Sequence, residues 1–265
     1  WFDRSKMVLP REAVFPEGQT REQTALDNVA AMSTSQQGAV AVALDELEVE
    51  YEPVVMIAGV QEGAPAQDTL EGGDVIVSVA GETATDVEGF RELIRATPEG
   101  EDVQMTVRRE GTETDLEVPA EMADGAPRMG VVLAAGYEFP MDVEIAVGNI
   151  GGPSAGMIFS LSVYDQLTPG ALTGGHRIAG TGTIAIDGTV GPIGGVRQKM
   201  VGAVESDAEF FLAPSANCDQ VVGYEPDGLE VVAVADFEEA LTATETIAET
   251  GSAEGLPTCE DVTER

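Results

Sequence analysis

Hydrophobic positions divide the chain into stretches of different period. Residues 1–19 hold no sustained period and contain Pro10 and Pro16, so they read as extended. Thr20-Arg21-Glu22-Gln23 reads as a capping box. Leu26, Val29 and Ala30 then share a helical face, which Val40, Ala43, Leu44 and Leu47 repeat after Gly38. This spacing predicts a helical hairpin over 20–48, within an N-terminal segment 1–52.

The period changes over 53–120. A strand is expected at Val54–Val60, a turn at Gly63-Ala64-Pro65-Ala66, and a second strand at Val75–Val79 after Gly72-Gly73-Asp74. Val87, Phe90, Leu93 and Ile94 form a helical stripe. Val103–Val107 and Leu116–Val118 flank Glu110-Gly111 as a hairpin. Residues 120–128 read as a linker. Beyond it, within 121–247, strands are expected at 129–135, 141–147, 181–186, 209–213 and 229–234. Helices are expected at 154–166, 196–206 and 236–247. Such mixing indicates an α/β (α+β) fold. The polar tail 248–265 is expected to be loose unless Cys259 ties it down.

Composition narrows the function classes. With 43% hydrophobic residues in 265, a sizeable core is available and disorder is excluded. Forty-eight acidic residues against 13 basic ones leave a formal charge of −35. That charge argues against nucleic acid and anionic membrane surfaces as partners. It also leads to the hypothesis that the chain works in high salt or an exposed environment, where screening makes the charge tolerable, with a solubility-driven acidic surface as the alternative; equal unfolding midpoints in dilute and molar salt would remove the first. No run of eighteen apolar residues spans a bilayer. The first residue is Trp1, so a processed or truncated form is expected, with a signal or anchor upstream. Cys218 and Cys259 fit one disulfide or two free thiols. With one histidine, His176, and no Cys/His cluster, no metal or cofactor site is expected.

Candidate chemistry gathers at GNIGGPSAG, residues 148–156. Glycines around Ser154 allow a sharp turn and close ligand approach. The helix that follows puts Ser154 at a positive dipole end, where an oxyanion would form, with Gly152 and Ala155 as flanking supports. A nucleophilic serine needs a base. His176 lies in the polar turn Thr173-Gly174-Gly175-His176-Arg177 and reads as solvated. The second candidate is Lys199, one of two lysines in the chain, in GPIGGVRQKMVGAV. Val196, Lys199, Met200 and Ala203 share an apolar helix face. Burial there would disfavour the charged amine and lower its pKa, which suits a general base.

Two resemblances follow from these motifs. GVQEGAPAQ with LEGGDVIVSVAGE resembles a PDZ domain of the bacterial, circularly permuted type. IGGPSAG with GTGTIAIDGTVGPIGGVRQK resembles the proteolytic domain of Lon proteases, a fold like the second domain of ribosomal protein S5. The second resemblance implies a Ser154–Lys199 dyad, with Thr181 bonding the lysine amine. Thr183 stands where that family often has Glu. The whole arrangement resembles the membrane-anchored PDZ–Lon proteases of Gram-positive bacteria. It implies an extracytoplasmic location, an anchor missing from this chain, protein or peptide substrates, assembly into a homo-oligomeric ring, and a Cys218–Cys259 disulfide. No Gly-x-x-x-x-Gly-Lys-Ser/Thr sequence occurs, so ATP independence is expected. Peptide capture by the PDZ unit is expected beside Val54–Val60 and the helix 86–96, with a structural PDZ that gates access or mediates assembly as the alternative. The acidic Glu48-Val49-Glu50-Tyr51-Glu52 stands where the carboxylate loop belongs, and Arg128-Met129-Gly130-Val131 is a substitute from the far side. A PDZ binding module with a latent peptidase domain is the alternative function.

Overall fold

The computed structural model describes residues 21–123, 125–146 and 152–264. Residues 1–19, the Thr20 cap, the Leu26 side chain, Gly148 and Gly151 lie outside the described residues.

The expected hairpin is instead one helix, α1 (Arg21–Glu46). Gly38 does not stop it: the helix runs on in contact with Ile184, 3.7 Å from its carbonyl oxygen to where a Cβ would stand, a distance that leaves room for a side chain. Ala39 to Leu44 are all buried beyond it, and that packing outweighs the low helix propensity of one glycine. The helix ends where Glu48 takes a positive φ and Val49 N–H bonds back to the Leu44 carbonyl.

The next unit is a five-stranded antiparallel sheet in the order β4-β3-β2-β1-β7. Its strands are β1 (Glu52–Val60), β2 (Val75–Val79), β3 (Val103–Arg109), β4 (Thr112–Val118) and β7 (Val131–Glu138). A two-stranded hairpin, β5 (Glu121–Ala123) with β6 (Ala126–Arg128), replaces the expected linker. Helix α2 (Val87–Arg95), capped by Asp86, lays Phe90 and Ile94 on the sheet's buried face. Buried Asp74 is held by Arg109 through two bonds of 2.6 and 2.7 Å, which locks the turn into β2.

Strand β7 departs from expectation. It was read as the start of the third unit, but it pairs along the outer edge of β1, from Glu52 opposite Glu138 to Val60 opposite Val131. Short apolar runs carry no information on their partner, so only the pairing could assign it. The unit therefore leaves and rejoins the rest of the chain at one place. Tyr51 packs edge-on against Tyr137 and Phe139 there, with ring centroids 5.1 and 5.5 Å away.

The remaining chain builds a parallel sheet, β12-β11-β8, from β8 (Ile178–Gly180), β11 (Phe210–Pro214) and β12 (Glu230–Val234). The run Phe210 to Pro214 is apolar throughout because both faces are covered. Phe210 and Leu212 face α3 (Gly156–Leu167) and α6 (Phe237–Thr250), and Val42 of α1 joins that core. Phe211 and Ala213 face α4 (Val196–Glu205), α5 (Cys218–Val221) and α7 (Cys259–Thr263). A small ribbon, β9 (Thr183–Ile184) with β10 (Val190–Gly191), stands where one strand was expected at 181–186. The tail is not loose: Cys218 and Cys259 are joined by a disulfide, and both are buried.

Residues 141–146, expected as a strand, have no partner strand among the described residues. Met141, Val143 and Ile145 alternate inward as a strand would, but they pack against Val40, Leu44 and Val163 of helices, which offer no ladder.

Candidate active site

Ser154 sits in the tight turn that opens α3. Gly152 holds φ +90 there, a conformation that disfavours side chains. Ala155 is the N-cap of α3, so the positive end of that helix lies beside Ser154. The Ser154 carbonyl accepts from Gly182 N–H at 2.9 Å and from Thr181 Oγ1 at 2.8 Å. Gly182 permits this approach: a Cβ there would stand 2.7 Å from Val190.

Helix α4 brings Lys199 to the same point. Its Nζ donates to Ser154 Oγ at 2.7 Å and to Thr181 Oγ1 at 2.8 Å. Thr181 is buried and ties the serine carbonyl to the lysine amine through one hydroxyl. Val196, Met200 and Ala203 are buried on the same helix, which prevents α4 from turning Lys199 outward. Burial lowers the Lys199 pKa from its ordinary 10.5. No carboxylate offsets this, although the chain as a whole is strongly acidic. The amine is therefore readier to exist neutral, with a lone pair for a proton.

A feature missed in the sequence sets the start of α4. The buried Asn217 side chain accepts from Ile193 N–H at 2.9 Å and donates to the Ile193 carbonyl at 3.0 Å. Ile193 lies in the Gly-rich entry to α4, and Asn217 adjoins the disulfide-bonded Cys218. Only the polar Pro-Ser-Ala-Asn-Cys loop hinted at it. His176 stands apart from this constellation: it faces Glu209 at 3.5 Å and packs edge-on against Phe210. No metal-ligating cluster occurs among the described residues.

Thr181→Val should lower turnover about tenfold, since it removes one amine partner and one bond to the Ser154 carbonyl. Steady-state kinetics on an unstructured protein checks this; unchanged turnover would show that Thr181 is dispensable.

A family model of the Lon protease (S16) C-terminal proteolytic domain matches residues 141–245, and one of the PDZ domain matches residues 33–120. The chain joins a PDZ domain to a Lon-type proteolytic domain. Lon protease 2 of Bacillus subtilis is 35% identical over 107 residues, which cover 38% of this chain and 19% of that protein. Lon protease 2 of Herpetosiphon aurantiacus is 35% identical over 108 residues, covering 38% of this chain and 13% of that protein. The chain thus spans less than a fifth of the length of these relatives. Among solved structures, the PDZ domain of the SdrC-like protein of Listeria innocua is 21% identical, with a TM-score of 0.28, and covers 30% of this chain and 92% of that one. That likeness is too slight to carry an argument. Ser154, Thr181 and Lys199 all fall inside the Lon-type match, whereas α1 begins well before it.

Within the PDZ domain, the open edge of the sheet beside α2 belongs to β7 and not to β1. The expected capture site beside Val54–Val60 is therefore corrected: β7 already covers that edge. A groove of about 470 Å³ lies instead between Arg91, Ile94 and Arg95 of α2 and Met129, Val131 and Leu133. Arg128-Met129-Gly130 enters β7 directly at this groove. The acidic residues 48–52 are not at its mouth.

Proposed function

We propose that this chain is an ATP-independent serine endopeptidase in which Ser154 is the nucleophile and Lys199 the general base. The 2.7 Å contact between Lys199 Nζ and Ser154 Oγ carries the reading. Neutral Lys199 takes the serine proton as Oγ bonds to the scissile carbonyl carbon. The C–N bond then breaks and the ammonium of Lys199 returns that proton to the leaving amine. Water, deprotonated by Lys199, attacks the acyl ester and frees Ser154 with a carboxylate product. In this reading the substrate approaches along the groove of about 530 Å³ between residues 141–146 and α3, the helix that opens just after Ser154; Met141, Ile145, Ile158, Phe159 and Val163 line it, and Ser154 and Lys199 lie outside its lining. Residues 141–146 have no partner strand among the described residues, which favours extended, unstructured or membrane-associated protein segments as substrates.

The test is cleavage of an unfolded protein with and without ATP, by wild type and Ser154→Ala. Cleavage by wild type alone, unchanged by ATP, is expected. Equal cutting by both proteins would refute the nucleophile, and dependence on ATP would refute the independent mode.

In the same reading, the PDZ domain captures a substrate tail along β7. Arg91, Arg95 and Arg128 line the groove between α2 and β7 and would draw a free C-terminal carboxylate in competition with Glu88, to which Arg91 and Arg95 are ion-paired at 3.4 and 2.7 Å. Arg95→Glu should weaken binding of a carboxylate-ended peptide about tenfold by fluorescence anisotropy, and amidating the peptide should do the same. Equal affinity for free and amidated peptides would remove this role. The Cys218–Cys259 disulfide supports an extracytoplasmic location, with an anchor outside this chain. No described helix is long and apolar enough to cross a membrane. Assembly into a ring belongs to the reading too, and specific activity independent of protein concentration would count against it.

A further inference from the structure

Helix α1 precedes the five-stranded sheet and runs into the PDZ match, yet three consecutive side chains on it reach the peptidase machinery as well as the edge strand β7. Ser35, only 4% exposed, donates from Oγ to the Pro153 carbonyl at 3.2 Å. Gln36 Nε2 donates to the Ile145 carbonyl at 2.9 Å, on the segment lining the substrate groove. Gln37 Oε1 accepts from Tyr137 N–H at 2.9 Å, on β7. Successive helical residues point about 100° apart, so one turn can address three neighbouring segments.

The nucleophile turn is gripped on both sides. Thr181 and Gly182 hold the Ser154 carbonyl, and α1 holds what precedes it: Ser35 binds the Pro153 carbonyl, and Gly152 N–H bonds to the Asn28 carbonyl at 3.3 Å. The fit is close, since a Cβ on Gly156 would stand 2.8 Å from Ser35 Oγ. The carbonyl of Pro153 is part of the peptide that begins Ser154, so holding it fixes the backbone from which Oγ projects.

We propose that Ser35 is a positioning residue for the Ser154 nucleophile, and that Gln36 positions the substrate-lining segment from the same helical turn. The peptidase site is thereby completed by a helix that lies ahead of the five-stranded sheet in sequence. The proposal rests on Ser154 being the nucleophile.

The experiment compares Ser35→Ala, Ser35→Thr, Gln36→Leu and Gln37→Leu in the full chain, alongside Ser154→Ala. Turnover, KM and thermal midpoint are measured with an unfolded protein substrate. Ser35→Ala should lose about tenfold in kcat with KM within about twofold, as expected when a reacting group is misplaced. Ser35→Thr, which keeps the hydroxyl, should recover most of it. Gln36→Leu should act chiefly on KM. Gln37→Leu, which releases only β7, should leave kcat unchanged. Retention of kcat in Ser35→Ala, or equal losses in all four variants that follow their thermal midpoints, would overturn the proposal.

A readout independent of activity separates this failure from failure of the nucleophile reading. The chain has two lysines, Lys6 and Lys199, so ¹³C labelling at lysine Cε yields two titrating signals. If Ser35 holds the turn, Ser35→Ala lets Ser154 withdraw and water reach the amine. The Lys199 midpoint should then rise towards its ordinary 10.5 while Lys6 stays put. An unmoved Lys199 signal overturns the positioning role even if wild type and Ser154→Ala cut alike.

Discussion

Lys199→Ala should reduce cleavage of an unfolded protein by roughly 10³–10⁴-fold, the scale for losing a general base that serves both chemical steps. The fold should survive, because Val196, Met200 and Ala203 supply the buried face of α4. Lys199→Arg is the sharper variant. It keeps a cation and donors near Ser154 but stays charged at any accessible pH, so no pH should restore it. On the proposed mechanism, activity needs the neutral amine. It should fall as pH drops through the lowered pKa of Lys199 and reach its plateau below pH 10.5. A profile that still climbs to the ordinary lysine range, or an active Arg variant, would exclude Lys199 as the base.

The same shift has a consequence for stability. Between the lowered folded value and the ordinary 10.5, the unfolded chain binds a proton at Lys199 that the folded chain does not. Stability from this group therefore rises with pH across that window, and it is lowest below the folded value, where a half-buried amine must carry charge. Lys199→Met should accordingly flatten this part of the stability profile, as followed by denaturant midpoints.

Removing the disulfide should give the largest stability effect. Cys218 and Cys259 are 41 residues apart in sequence. Opening that loop in the unfolded chain is worth about 4 kcal/mol by the chain-entropy estimate. The Cys218→Ala, Cys259→Ala double variant should show a lower denaturant midpoint with a steeper slope, because the unfolded chain without the cross-link exposes more surface. The loss should reach activity as well. Cys218 adjoins Asn217, which holds Ile193 at the entry to the Lys199 helix. A double variant as stable as wild type would mean that burial of α7 against α5, not the covalent link, holds the tail.

Much of the site was legible because its residues violate ordinary rules. A lysine on an apolar helix face and a glycine-rich turn around a serine are each unusual in a well-packed domain, and each is local enough to see in one window. Thr181 was legible through its resemblance to the Lon pattern. Ser35, Gln36 and Asn217 were not, because each acts on a backbone carbonyl or amide more than twenty residues away. A polar side chain inside a helix looks alike whether it faces solvent or a distant strand. The hairpin expected at Gly38 failed for a similar reason: a glycine that ends a helix and one carried through it by the burial of Ala39 to Leu44 leave the same mark.

Local chemistry was therefore readable from the residues: the mixed fold class, the strands and helices with strong periodicity, and the residue types of the Ser154 and Lys199 segments. Partnership was not, and it came from the packing of distant segments. Pairing β7 with β1 moved the open sheet edge, and the groove beside α2, to a different strand. Packing α1 on α3 joined a helix ahead of the five-stranded sheet to a turn that follows it. Folding α4 against the Thr181 segment brought a lysine within 2.7 Å of a serine. Hydrophobic period reports which face of an element is buried, but long-range pairing depends on which other buried faces and unpaired backbone groups are available to meet it.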